Sequence, residues 1–212
     1  MLHIETFIVG ELQTNCYCVS DSQSRVAFII DPGDDASYIA QKIAGESLKP
    51  KAVLATHGHF DHVLSAFELQ HIFTVPFYIH QNDEFLLQAM KKTAEYYLAA
   101  PVIEFPPTPS KTLQKNASLS LGPYRFEIME TPGHTAGSVC FYCKKEHICF
   151  TGDTVFEGGA VGDWHHGYSD KQALLASVRT ILSLPPETLV YPGHGNQTTV
   201  ASEREYLLKP DI

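Results

Sequence analysis

Positive charge is in short supply in this sequence. Its 212 residues hold 15 Lys and Arg against 24 Asp and Glu, a formal net charge of −9, with no Lys/Arg run. So acidic a chain gains nothing from counterion release along a phosphate backbone, which excludes nucleic acid as the main partner. No stretch reaches the roughly 18 apolar residues of a membrane span, so no membrane association is expected. Cysteine is sparse and odd in number, five in all, unlike the even, dense sets of secreted disulfide scaffolds. The opening Met1-Leu2-His3-Ile4-Glu5 lacks a cationic start and a long apolar core, so a cytoplasmic protein is expected rather than a secreted one. Short-period repeats and low-complexity tracts are missing too. Length and the 44% hydrophobic content predict one domain over residues 1–212 with a sizeable core.

What is present reads as sheet alternating with helix. Residues 2–9, 16–19 and 26–30 have strand character, the last an apolar run between turn signals. Asp31-Pro32-Gly33 ends that run in a loop, and Asp34 or Asp35 is placed to cap a helix through Ile43 that closes near Gly45. A buried strand is predicted over 51–55, a helix over 63–71, a strand over 76–79 and a helix over 82–99. Four prolines within 101–109 exclude regular structure there and predict a surface loop or lid. Strands follow at 118–121, 124–129, 138–142 and 147–150, then a helix over 170–182, a strand over 188–191 and a short helix over 201–208. Two successive halves, each β-rich first and helical later, predict an α+β fold of two packed sheets with helices outside.

The segment richest in chemistry is Thr56-His57-Gly58-His59-Phe60-Asp61-His62, directly after an apolar strand. Clustered histidines with a carboxylate are the donors that zinc or ferrous iron binds. Alternate residues of an extended segment point the same way, so His57 and His59 can share one metal. Asp61 and His62 lie where the chain turns into helix and can aim at a second. Gly58 removes a side chain where the backbone must turn tightly. A lone histidine is more often a solvated or core polar group, and His3, His71, His80 and His147 are read that way. Three later segments repeat the strand-then-glycine-turn design with one donor each: Thr131-Pro132-Gly133-His134-Thr135, Thr151-Gly152-Asp153-Thr154 and Tyr191-Pro192-Gly193-His194-Gly195. Singly each is an ordinary turn with a solvated histidine or an Asx cap. Together they place donors where strand ends gather on one edge of a sandwich.

The set T-H-G-H-F-D-H, P-G-H-T, T-G-D-T and Y-P-G-H-G, in this order over nearly the whole chain, resembles the metallo-β-lactamase fold hydrolases. Among them it is most similar to the short glyoxalase II-like (hydroxyacylglutathione hydrolase-like) branch. The resemblance implies a four-layer αββα sandwich with metals at one edge. It implies His57, His59 and His134 on one metal, Asp61, His62 and His194 on the other, and Asp153 bridging. Two divalent metals, zinc ahead of iron or manganese, would hold a bridging hydroxide that attacks the carbonyl of a small thioester or activated ester, with Asp61 and Asp153 as the catalytic residues. A thiol leaving group of pKa near 8.5 needs little acid assistance. The alternative is an oxidoreductase similar to the persulfide dioxygenases, with one iron on the counterparts of His57, His134 and Asp153. A class B β-lactamase of the commonest type would have cysteine in place of Asp153 and be secreted.

The chain departs from that branch at one loop. Glyoxalase II-like proteins carry Gly then Lys or Arg after the bridging aspartate, and the cation binds a glutathione carboxylate. Here Asp163 stands at that position, where it would repel a carboxylate. His165 or His166 would supply only partial positive charge. The separate C-terminal glutathione-binding domain of longer relatives has no counterpart in these residues. The sequence thus predicts a small-molecule substrate contacted by Asp163, Trp164 and His165, and a poor glyoxalase II; it leaves the oligomeric state open. Tyr96 and Tyr97 are adjacent in a predicted helix, so at most one faces substrate. Cys140 and Cys143 have C-x-x-C spacing within a predicted strand but no partner pair. They are read, with Cys16, Cys18 and Cys149, as buried structural thiols.

Overall fold

The computed structural model describes residues 1–207. The chain runs β1 (Leu2–Val9), β2 (Thr14–Asp21), β3 (Val26–Ile30), α1 (Ala36–Gly45), β4 (Lys49–Leu54), α2 (Phe60–Val63), α3 (Ala66–Phe73), β5 (Phe77–Ile79), α4 (Glu84–Leu98) and β6 (Lys111–Thr112). It continues through β7 (Ser118–Leu121), β8 (Tyr124–Glu130), β9 (Val139–Cys143), β10 (Ile148–Gly152), α5 (Lys171–Leu182), β11 (Leu189–Pro192), β12 (Thr198–Thr199) and α6 (Val200–Leu207). Strands β1 to β6 form one sheet in sequence order, and β7 to β12 form the other in the order β12-β11-β10-β9-β8-β7.

Period-two alternation assigns the layers. Tyr17, Val19, Phe28, Ile30, Ala52 and Leu54 turn inward and meet Phe126, Ile128, Phe141, Ile148 and Phe150 of the second sheet. Their chain neighbours Cys16, Cys18, Ala27, Ile29 and Val53 turn outward, under Ile39, Ile43, Leu69, Leu87 and Met90 of the covering helices. On the second sheet Cys140, Tyr142 and Cys149 turn outward, under Leu174, Val178 and Ile181 of α5. Strands buried on both faces read as continuous apolar runs, which is why they were legible. The result is the expected αββα sandwich. All five cysteines are free and buried. No helix among the described residues is long and apolar enough to cross a membrane.

Local differences have local causes. Neither Asp34 nor Asp35 caps α1: Asp35 is left-handed (φ 57°) with no side-chain cap bond, and Asp34 accepts from the Asp35 amide instead. Asp170 does cap α5, accepting from the Gln172 and Ala173 amides at 2.8 and 3.0 Å. The helix expected over 63–71 is two pieces, α2 and α3, because the Ser65 amide is drawn to the Pro32 carbonyl (3.0 Å). The 101–109 loop is irregular, as its prolines require, and Gln70 of α3 holds its end through Thr108 O and Ser110 Oγ. The last helix lies where expected, though position 208 falls outside the described residues.

Candidate metal centre

Parallel strands carry the donors to one edge. β10 pairs parallel with β11 and antiparallel with β9, which is antiparallel to β8. The turns after β8, β10 and β11, holding His134, Asp153 and His194, therefore open the same way. The turn after β4 meets them through Val139, which donates to Thr56 O at 2.8 Å, and β2 ties in the His194 turn through Asn15, which donates to Gly193 O at 2.7 Å. Two glycines permit the approach. A Cβ on Gly193 would lie 2.2 Å from Asp153 Oδ1. A Cβ on Gly58 would lie 2.9 Å from Asp83 O, so Gly58 serves close packing rather than the tight turn expected of it.

All seven expected donors converge. His59 Nδ1 is 3.1 Å from His57 Nε2 and 3.0 Å from His134 Nε2. His62 Nε2 is 3.3 Å from His194 Nε2 and 3.5 Å from Asp61 Oδ2. Asp153 spans the two groups, with Oδ1 3.4 Å from His62 Nε2 and Oδ2 3.5 Å from His134 Nε2. Tetrahedral zinc with nitrogen ligands at 2.0–2.1 Å sets neighbouring donors about 3.4 Å apart.

The outer nitrogens decide what the inner ones can be. His134 Nδ1 donates to Asp163 O (2.8 Å) and His194 Nδ1 to Leu12 O (3.1 Å). His62 Nδ1 donates to Asp31 Oδ2 (3.1 Å). Thr56 Oγ1 gives its proton to Asp31 (2.6 Å) and so accepts from His57 Nδ1 (3.1 Å). His59 Nε2 reaches the Tyr168 hydroxyl at 2.8 Å. With Nδ1 protonated, the rings of His57 and His134 each present a bare Nε2 lone pair inward. Both converge on His59 Nδ1, at 3.1 and 3.0 Å, an arrangement that a shared cation satisfies. Asp153 Oδ1 is likewise buried without a hydrogen-bond partner. The residues fit divalent metals.

Two carboxylates that sequence reasoning passed over hold this arrangement. Asp31, buried at the end of β3, accepts from the Thr56 amide and hydroxyl and from His62. Asp83, fully buried before α4, accepts from the Gly58 amide (2.9 Å), the Thr135 hydroxyl (2.6 Å) and the Gly137 amide (2.6 Å). It ties the His57/His59 segment to the His134 turn. Burial holds its pKa above the usual carboxylate range although all three donors pull it down.

Burial, then the neighbouring imidazoles, keeps His57 well below the ordinary histidine value and brings His59 to about 3. His62 goes the other way: burial opposes its charge, but Asp153, Asp61 and Asp31 push it up to about 10. Burial disfavours an ionised Asp61 as well, yet His62 and His194 hold its pKa below the usual range. A raised histidine is protonated below its pKa, so the metal-free centre carries a proton on His62 at neutral pH. Metal must displace it, so affinity falls with falling pH. Titration against a competing chelator should show metal affinity rising about tenfold per unit from about pH 7 to 9, with about one proton released. A flat profile would contradict this.

A cavity of about 220 Å³ opens on the donors His59, Asp61 and Asp153. Phe60, Thr93 and Tyr97 line one part of it and Leu12, His166 and Tyr168 another, with no Lys or Arg among the described residues of the lining. The expected contacts Asp163, Trp164 and His165 stand outside that lining. Once Asp163 O anchors His134, its carboxylate turns out to the His165 imidazole and amide. Trp164 packs with the α5 cluster, 4.8 Å beneath the Lys171 ammonium. His166 and Tyr168 take the inner places. Tyr97 lines the cavity while Tyr96 is 80% exposed. No residue of 101–109 lines it, so the loop is no lid over this cavity.

Comparison with known proteins agrees with this geometry. The family model described as the metallo-beta-lactamase superfamily matches residues 9–194. The chain is 34% identical over 205 residues to a Haemophilus influenzae protein named hydroxyacylglutathione hydrolase GloC, covering 96% of this chain and 95% of that one. The crystal structure of TTHA1623 in a di-iron-bound form superposes with a TM-score of 0.87 at 34% identity, covering 98% of this chain and 100% of that one. The structure of BLEG-1, described as a B3 metallo-beta-lactamase, superposes with a TM-score of 0.88 at 32% identity, covering 96% and 97%.

Proposed function

The chain belongs to the metallo-beta-lactamase superfamily, and from that premise we propose that it is a binuclear metal-dependent hydrolase of small thioesters or activated esters. The observation that carries this is the set of seven inward donors, with Asp153 Oδ1 buried without a hydrogen-bond partner. His57, His59 and His134 would hold one metal, Asp61, His62 and His194 the other, and Asp153 both. Zinc is the sequence expectation and TTHA1623 holds two irons; His/Asp donors suit either.

When bound, such a pair lowers the pKa of water to near 7 and polarises an acyl oxygen. The chain supplies the rest. Asp61 lines the cavity and accepts from Thr14 Oγ1 at 3.2 Å. Its lowered pKa keeps it ionised, able to accept a hydrogen bond from the attacking water. Phe60, Tyr97, Tyr168 and Leu12 surround the reacting carbonyl with apolar surface. The relative named GloC supports thioester chemistry, and a thiol departs without a strong acid beside it.

No Lys or Arg among the described residues of the lining meets a glutathione carboxylate. The expected weakness toward glutathione thioesters thus rests on that missing cation, with Asp163 behind the lining, its Oδ2 3.8 Å from His166 Nε2. The likeness to BLEG-1 favours β-lactam hydrolysis as a second reading. A panel separates them: an acyl N-acetylcysteamine thioester, S-lactoylglutathione and a cephalosporin. The neutral thioester should be cleaved with kcat/KM above about 10⁴ M⁻¹s⁻¹, at least about tenfold ahead of S-lactoylglutathione. Turnover of the cephalosporin alone would replace the thioesterase reading.

A further inference from the structure

The cavity over the donors is walled by two stacked ring pairs. Phe60 and Tyr97 lie with centroids 5.8 Å apart and planes 22° apart. His166 and Tyr168 lie 5.2 Å apart with planes 9° apart. All four rings line the same cavity. Phe85 backs Tyr168 edge-on at 5.4 Å, so that wall is braced from outside. Thr93 and Tyr97 are i and i+4 on α4 and present one helix face to the cavity. Apolar surface remains uncovered around the mouth: Leu12 is 43% exposed, Tyr97 55% and Tyr168 36%. Grouped exposed apolar side chains at a cleft are surface that a ligand covers.

We propose that these walls form a subsite for an aryl group carried on the acyl side of the substrate, making arylacyl thioesters the preferred class. The inference rests on the thioesterase reading above. Ring walls favour a flat, uncharged group, because aromatic surfaces pair well at centroid separations of about 4.5–7 Å. The cavity of about 220 Å³ also takes the reacting acyl carbon over the donors, so the ring rests at its mouth against Tyr97 and Tyr168. Among the described residues the ring walls carry no Lys or Arg to hold an anionic acyl arm. In the reaction, water oxygen bonds to the acyl carbon and the C–S bond breaks. The thiol leaves with the sulfur electron pair and one proton of the water, the other proton passes to solvent, and the arylacyl carboxylate is released.

The test compares S-phenylacetyl-N-acetylcysteamine with S-acetyl-N-acetylcysteamine. Wild type should favour the aryl substrate in kcat/KM by about tenfold or more. Tyr97→Ala should bring that ratio near unity, while Tyr97→Phe and the surface control Tyr96→Ala retain it. A readout without turnover is binding of the uncleavable thioether S-phenethyl-N-acetylcysteamine to metal-free protein, followed by NMR. It should bind about tenfold tighter than the S-ethyl thioether, and Tyr97→Ala should remove the difference. Equal treatment of the two acyl groups, a preference untouched by Tyr97→Ala, or selectivity only for aryl groups on the thiol side would overturn the proposal. If no thioester is cleaved, the functional reading fails while the thioether binding still decides the subsite.

Discussion

Asp153→Ala should lose hydrolysis by more than about a hundredfold while keeping its fold. Outer partners of metal ligands already cost 10- to 100-fold when removed, and Asp153 is itself the carboxylate that reaches both donor groups. Its loss takes a donor from each half at once. The fold does not depend on it: the turn after β10 is closed by backbone bonds, Thr154 N to Thr151 O at 3.1 Å and Gly193 N to Gly152 O at 2.9 Å. Circular dichroism should therefore match wild type while turnover disappears. Activity near the original rate would show that the centre lies elsewhere.

Asp83→Ala should be the most destabilising change near the site, although Asp83 touches no metal position. Removing its carboxylate leaves the Gly58 amide, the Thr135 hydroxyl and the Gly137 amide buried without an acceptor. Bonds to a charged acceptor contribute more than neutral ones, and orphaned donors add their desolvation cost, together on the order of 3 kcal/mol. For a chain of this size that lowers the thermal midpoint by roughly 5–10 °C. The same change frees the His57/His59 segment from the His134 turn, so metal affinity should fall about 10- to 100-fold. An unchanged midpoint with unchanged metal retention would remove Asp83 from the positioning role.

The donors were legible because metal ligation demands particular residue types, and each stands in a turn directly after an apolar strand or, for Asp61 and His62, in the short helix α2 that follows such a turn. The strands were legible because burial on both faces leaves them few polar residues. β6 and β12 were not, since each is two residues long and exists only because a neighbouring strand offers an edge. Asp31 carried a signal that went unused: Phe28-Ile29-Ile30-Asp31-Pro32-Gly33 has the same strand-then-glycine-turn design as the ligand segments. Asp83 carried none, because Gln81-Asn82-Asp83 reads as an ordinary polar helix start. Its role comes from Gly58 and Gly137, which only the folded chain brings to it. The loop through residues 163–168 has no period to say which side chains face inward. There the decision is made by one backbone contact, from His134 Nδ1 to Asp163 O, and it turns Asp163 and His165 outward while His166 and Tyr168 face the cavity.

Metal content tests the seven-donor centre most directly. Elemental analysis of protein purified without chelator should return about two transition-metal ions per chain, name the metal, and pair with a lower thermal midpoint after chelation. One iron per chain with oxygen uptake, or a metal-free chain whose melting is indifferent to chelator, would contradict it.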